Sequence, residues 1–111
     1  MVIYINKLIV QSLSSLGIDI AWQEYSGNSD EYIVFSIYND KESDFYDDEN
    51  TTETYYIAIN YWYKSKKNIH KWKEIKELMK SYGFTYDNGM DLKENLLYGK
   101  NMDFIYVKEV K

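Results

Sequence analysis

The chain contains no cysteine. This absence excludes a disulfide framework and any metal site built on thiolates. A protein without disulfides needs no oxidising compartment, so we expect this chain to fold inside a cell.

Residues suited to catalysis are also scarce. His70 is the only histidine, and no serine or cysteine motif accompanies it, so a nucleophile and its base cannot be assembled from the sequence. Glycine-rich phosphate-binding loops are absent as well. The sequence therefore predicts a protein that is not an enzyme and needs no cofactor.

An acidic stretch in the middle of the chain suggests a calcium loop, but its spacing is wrong. A calcium loop that starts at Asp48 requires glycine where Glu53 stands and a carboxylate where Ile59 stands. We expect no metal site there.

No apolar run approaches the roughly 18 residues that a membrane-spanning helix needs, and Lys7 interrupts the apolar pattern at the N-terminus. We expect neither a membrane span nor a signal peptide.

A length of 111 residues predicts one domain, residues 1–111, with a single core. The net charge of -5 argues against nucleic-acid binding, because phosphate contacts need several cations on one face.

Hydrophobic periodicity predicts the elements of the first half of the chain. Apolar residues at helical spacing predict a helix from Val2 to Leu16 that ends at Gly17. Two alternating segments, Ile18 to Tyr25 and Tyr32 to Tyr38, predict a β-hairpin. The acidic stretch Asn39 to Glu53 breaks the alternation, and we interpret it as a long mobile loop.

The second half begins with a long alternating strand, Thr54 to Lys64, and an amphipathic helix that follows an N-cap at Asn68. Gly83 should end this helix and let Phe84 fold back on Met79. Residues 84–95 are rich in turn formers, and a final strand spans residues 97–107. The order α-β-β-β-α-β(-β) predicts an α+β fold, with an antiparallel (mixed) sheet of 4–5 strands and two helices packed on one face.

Aromatic residues exceed what a small core can hold. The chain has 13 tyrosines and three tryptophans, so many rings must reach the surface. If the isoleucine-rich sides of the strands face the helices, the uncovered sheet face carries Tyr32, Val34, Tyr38, Tyr56 and Trp62. Such a face is either an interaction surface or a set of cross-strand ladders that stabilise the sheet in water. Both interpretations remain open at this point.

Charge is unevenly distributed along the chain. Acidic residues crowd the predicted loop, whereas lysines crowd the start and surface of the second helix. Opposite patches at separate places suit head-to-tail contacts between copies, and reversal at Lys66 and Lys67 should then be rescued by reversal at Asp47 and Asp48. The alternative is a solvated helix surface and a flexible loop. The candidate interface residues are Asp44, Phe45, Tyr46, Asp47, Asp48, Tyr56, Trp62, Lys66 and Lys67.

Several segments resemble the tail terminator, or tail-completion, proteins of long-tailed bacteriophages. The stretches YIVFSIY (32–38) and YYIAINYWY (55–63) are similar to the two central strands of that family, on either side of a long loop. The stretch LMKSYGF (78–84) resembles the end of its second helix. The stretches GMDL (89–92) and LYGKNMDF (97–104) are similar to its closing hairpin, although Met90 stands where proline is frequent.

The resemblance implies a structural phage, prophage or tail-like-particle protein without enzymatic activity. Such a subunit forms a homo-oligomeric ring, often a hexamer, that caps the tail tube, stops its polymerisation and joins tail to head. Its partners would be copies of itself, the tail tube protein and head–tail connector proteins, in the host cytoplasm during assembly and then in the virion. The alternatives are a head-completion or connector protein, or a small acidic regulatory or immunity-type binding module. An enzyme is the remaining class.

Overall fold

A computed structural model describes residues 2–44 and 51–110. Two helices and five strands follow one another along the chain. Their bounds are α1 (Val2–Leu13), β1 (Asp19–Trp22), β2 (Glu31–Asp44), β3 (Thr51–Tyr63), α2 (Lys71–Ser81), β4 (Thr85–Glu94) and β5 (Leu97–Val110). Short 3-10 turns at Ser14–Leu16 and Lys66–Asn68 follow α1 and precede α2.

The strands form one mixed sheet in the order β1-β2-β3-β5-β4, and both helices pack on one side of it. This arrangement confirms the predicted α+β class. We call the side that faces the helices the helix face and the other side the open face. The core lies between the helices and the helix face, and its members are buried apolar side chains of both helices and of β2, β3 and β5. They include Ile5, Ile9, Leu13, Ile33, Phe35, Ile57, Ile59, Ile75, Met79, Met102 and Phe104.

Local sequence explains how both helices end. Gly17 adopts φ 70° after the 3-10 turn, and Gly83 adopts φ 97° after α2, both in the left-handed region that favours glycine. The amide of Phe84 donates to the carbonyl of Met79 at 3.1 Å, and the amide of Gly83 donates to Lys80 at 3.0 Å. These two bonds are the Schellman pattern that the sequence predicts.

The start of α2 differs from the prediction. Asn68 is not its N-cap, because residues 66–68 form a 3-10 turn and α2 begins at Lys71, after His70. The serine before that turn takes the capping role, since Ser65 Oγ accepts from the amide of Lys67 at 3.4 Å. The capping residue is therefore Ser65, which lies one turn before the predicted N-cap Asn68 and caps the 3-10 turn instead of α2.

The predicted hairpin between the first two strands is wrong. β1 is only four residues long and runs parallel to β2, with Asp19 beside Tyr32 and Trp22 beside Phe35. The chain reverses at Gln23, which has φ 69°. Residue alternation shows which side chains share a face but carries no strand direction, so the sequence pattern could not separate the two pairings.

The acidic segment is mostly strand rather than a long loop. β2 continues to Asp44 and β3 starts at Thr51, and the two pair antiparallel with an irregularity after Ile37. The predicted loop is therefore wrong at residues 39–44 and 51–53, and the rest of it, residues 45–50, lies outside the described residues. We call the part of β2 and β3 beyond the irregularity the acidic arm. Hydrophobic alternation did not predict these strand residues because the arm is polar on both faces. Pairing among β2, β3 and β5 holds the arm extended.

The predicted turn-rich segment after α2 is also a strand. β4 pairs with β5 from Thr85 to Glu94, and Asp87 is the extra residue of an irregularity. The actual turn lies at residues 95 and 96, where Asn95 has φ 52°. Turn-forming residues occur here within an edge strand, where bulges and glycine are tolerated.

The long central strands make the molecule elongated. Its extents are 53 × 23 × 23 Å, and its radius of gyration of 15.2 Å exceeds the roughly 13 Å of a compact chain of this length. The two ends of the long axis are therefore well separated surfaces.

Candidate interaction surfaces

The open face carries a cluster of aromatic and apolar side chains near the start of β2, which we call the first patch. Tyr32 lies directly across from Trp62, and Tyr25 stacks on Tyr32 with ring centroids 3.9 Å apart at 12°. Trp62 lies over Gly99, where an added Cβ would come within 2.7 Å of the indole ring. Glycine is therefore required for the tryptophan to lie flat on the sheet.

Met90 extends the first patch toward the edge strand β4. It pairs with Asn101 on the open face, and 59% of its surface is exposed. A large apolar side chain at this exposure gains little from the fold of its own chain.

A second patch lies on the open face toward the other end of the sheet. Tyr38 and Tyr56 have ring centroids 6.2 Å apart, and the Lys41 ammonium lies 5.5 Å from the Tyr56 ring. Tyr38 is 54% exposed and Val107 is 57% exposed. Neither helix covers these side chains.

A polar band separates the two patches. Asn101 Nδ2 donates to Asn60 Oδ1 at 2.7 Å across β3 and β5. Burial raises the pKa of Asp103, with the nearby Asp87 carboxylate adding to the effect and a hydrogen bond from Asn101 opposing it. The open face thus alternates apolar, polar and apolar along its length, which is unusual for a sheet face exposed to water.

The lysine-rich end of the molecule combines cations with stacked tyrosines. Tyr63 stacks on Tyr98 at 5.6 Å, and the ammonium groups of Lys66 and Lys93 lie 5.8 and 5.2 Å from the Tyr98 ring. Contacts at these distances are cation–π interactions.

Beneath this end, a three-residue cluster fixes the start of α2 to the sheet. Tyr61 donates to Glu31 at 2.5 Å, and the Lys71 ammonium lies 3.3 Å from the same carboxylate. Burial, followed by the hydrogen bond to Glu31, raises the pKa of Tyr61. Tyr61 is fully buried, so its hydroxyl needs this acceptor.

The opposite end of β3 is acidic. Glu42 and Glu53 are direct cross-strand partners, and the Tyr55 hydroxyl donates to Glu53 at 2.8 Å. Burial and the neighbouring carboxylates raise the pKa of Tyr55 to about 12. Like charges placed directly across a strand pair destabilise it, although Lys108 lies across from Glu53 on the other side.

The structure separates the interface residues predicted from the sequence into three places. Tyr56 and Trp62 lie on the open face, as predicted, but in different patches. Lys66 and Lys67 form the 3-10 turn at the lysine-rich end, whereas Asp44 ends β2 at the far end of the long axis. The other predicted interface residues, Phe45, Tyr46, Asp47 and Asp48, lie outside the described residues. The charge pairing between copies stays a prediction.

A groove between α1 and β1 was not anticipated from the sequence. It has a volume of about 440 Å³ and is lined by Asn6, Lys7, Val10, Gln11, Ile20, Trp22 and Phe35. Val10 and Trp22 are 42% and 52% exposed, and the buried Asn6 Oδ1 has no hydrogen-bond partner among the described residues. One sequence signal could have indicated this groove: Val10 is an apolar residue of α1 that lies off the helix side formed by Ile5, Ile9 and Leu13.

In residues 2–44 and 51–110, no group of three or more His, Cys, Asp or Glu lies together in a way that could hold a metal ion. No helix in the described part of the chain is long and apolar enough to cross a membrane. The chain matches no protein-family model, and comparison with curated proteins finds no match.

Proposed function

We propose that this chain is a structural subunit of a long-tailed bacteriophage, prophage or tail-like particle. It assembles with copies of itself into a ring that caps the tail tube and joins the tail to the head. The proposal combines the sequence resemblance with the surfaces described above.

The observation that carries the proposal is the open face of the sheet. Its first patch contains Tyr32, Trp62 and Met90, and its second contains Tyr38 and Val107, with no helix over either. Exposed apolar patches of this kind mark contacts with other proteins. A capping subunit needs such a broad surface because it must hold the end of a tube.

The charge separation along the long axis supports the same function. β3 is 13 residues long and spans roughly 40 Å. Acidic residues of the β2–β3 arm lie at the start of this strand, and lysines follow its end. A subunit with two different ends can face the tube on one side and the head on the other, since each end selects a partner of complementary charge.

Native mass spectrometry of the purified chain over a wide concentration range, with negative-stain images, tests ring formation. A second assay measures the lengths of tubes assembled from the tail tube protein of the same source. We expect closed rings and shorter, capped tubes. A chain that is monomeric at every concentration and leaves tube lengths unchanged would contradict the proposal.

A matched pair of variants links capping to the open face. Met90→Asp places a charge in the first patch and should abolish tube capping. Tyr82→Asp places the same charge on an exposed residue, 40%, that follows α2 and lies outside the sheet. Equal loss of capping in both variants would argue against the open face as the contact.

The acidic arm favours one second candidate, a small regulatory or immunity-type module that binds a basic partner. Glu42 opposite Glu53 is the specific observation, because an added cation would relieve this repulsion. A monomer that inhibits a DNA-binding protein, and loses inhibition on Glu42→Gln with Glu53→Gln, would favour this candidate over the ring.

A further inference from the structure

We propose that the groove between α1 and β1 receives the tip of the β4–β5 hairpin of a second copy of this chain, with Leu96 as the inserted side chain. This inference rests on the self-assembly proposed above, and it names the contact between neighbouring copies.

Leu96 is an unusual residue for its position. It follows Asn95 in the turn between β4 and β5 and is 74% exposed, more than any other large hydrophobic residue described. Residues at hairpin turns are usually glycine, asparagine or aspartate, because turns face water. An apolar side chain at the apex gains little free energy from the folding of its own chain, whereas its burial in a contact is favourable.

The groove offers a complementary surface. Phe35 is buried, while Val10 and Trp22 are half-exposed apolar residues of the lining. Its volume of about 440 Å³ accommodates a hairpin tip rather than a single methyl group. Insertion of Leu96 would remove apolar area of both copies from water.

Polar groups on the two surfaces also match. Asn6 Oδ1 is buried in the monomer without a donor, which is costly for an amide oxygen. The hairpin tip supplies a donor, the side-chain amide of Asn95, which makes no hydrogen bond within the described residues. The inserted tip would bring this donor to the wall of the groove that contains Asn6.

Charge complementarity identifies the occupant as a second copy. Lys7 lines the groove, and Glu94 precedes the hairpin tip. Within the described residues neither side chain has an ion-pair partner. Docking of the tip would place an anion near an otherwise unpaired cation.

The two surfaces lie on opposite edges of the sheet. β1 is one edge strand and β4 is the other, and the hairpin turn is at the end of the sheet where β2 begins. A contact between different surfaces of identical subunits is heterologous, and it closes into a ring when the rotation permits. The same contact repeated by every copy would account for a ring without a second interface.

Cysteine cross-linking tests the contact directly, because the natural chain has no cysteine to interfere. Chains carrying Val10→Cys are mixed with chains carrying Leu96→Cys under mild oxidation, and covalent dimers are measured. The control mixture pairs Val10→Cys with Ile69→Cys, at another exposed apolar residue. We expect covalent dimers in the first mixture at several times the yield of the control.

The outcomes separate this inference from the proposed function. Wild-type rings without cross-linking above the control would overturn the inference and leave the ring intact. Cross-linking that yields open filaments would support the contact and contradict a closed cap. A chain that remains monomeric and shows no cross-linking above the control at millimolar concentration would contradict both.

Two substitutions give an independent readout by sedimentation. Leu96→Asp should weaken self-association roughly tenfold or more, because it places a charge in the apolar groove, whereas Ile69→Asp should not. Asn6→Leu should stabilise the monomer, since it removes an unpaired buried oxygen, yet weaken association. A gain in monomer stability with association unchanged would show that Asn6 acts through the fold alone and takes no part in the contact.

Discussion

On β3, aromatic side chains point both toward the helices and away from them, yet their burial differs. Tyr55, Tyr61 and Tyr63 on the helix face are at most 6% exposed. Tyr56 and Trp62 on the open face are only half-buried. The comparison teaches that alternation divides a strand into two faces, whereas the position of the helices decides which face becomes core.

The largest expected effect comes from adjacent residues on these two faces. Ile59 is fully buried on the helix face, so Ile59→Ala should reduce the free energy of unfolding by about 2–5 kcal/mol. Asn60→Ala on the open face should cost about 1 kcal/mol, the value of its hydrogen bond with Asn101. Urea unfolding measures both, and equal costs would break the distinction between the faces.

A smaller effect is expected where the open face packs against itself. Gly99→Ala should destabilise the fold by about 1–3 kcal/mol, because the new Cβ meets the Trp62 ring at 2.7 Å. In the background of Trp62→Ala, the same change should cost much less. An additive double-mutant cycle would mean that the strain at Gly99 does not arise from the tryptophan.

A dependence on alkaline pH is expected at Tyr55 on the helix face. The folded-state pKa of Tyr55 is raised to about 12 from an ordinary value of 10.0, so the folded chain holds this proton more tightly than the unfolded chain. The contribution of Tyr55 to the free energy of unfolding is complete below pH 10 and is lost as the pH rises toward 12. Tyr55→Phe should cost about 1 kcal/mol at neutral pH and reduce the loss of stability between pH 10 and 12.

The neighbouring residue on the open face provides the control for this pH dependence. Tyr56→Phe removes a hydroxyl of the same kind from the adjacent position of the same strand and serves as the matched variant. Chemical unfolding at several pH values measures both variants. A similar change of slope in the two would assign the alkaline loss to tyrosines in general.

The smallest expected effect on stability is at the exposed part of the open face. Met90 is 59% exposed, so Met90→Asp should change the free energy of unfolding by less than about 0.5 kcal/mol. The same variant should lose tube capping, as described above. A large loss of stability would show that Met90 belongs to the core of its own chain.

Much of the fold could be predicted because its signals are local. The apolar stripe of α1, the alternation of β3 and the glycine after α2 each act within a few residues of sequence. The candidate surfaces were predicted only in part. Tyr56 and Trp62 followed from alternation, but the groove beside α1 did not, because it is formed by residues far apart in sequence, such as Val10 and Phe35.

By itself, the sequence determined where the helices end and which side chains of each central strand share a face. These properties depend on backbone conformation at Gly17 and Gly83 and on the two-residue period of a strand. Only the tertiary structure decided that β1 runs parallel to β2 and that residues 39–44 and 51–53 of the acidic segment are paired strand. Each of these depends on hydrogen bonds and packing between distant segments, for which short stretches of sequence carry no signal.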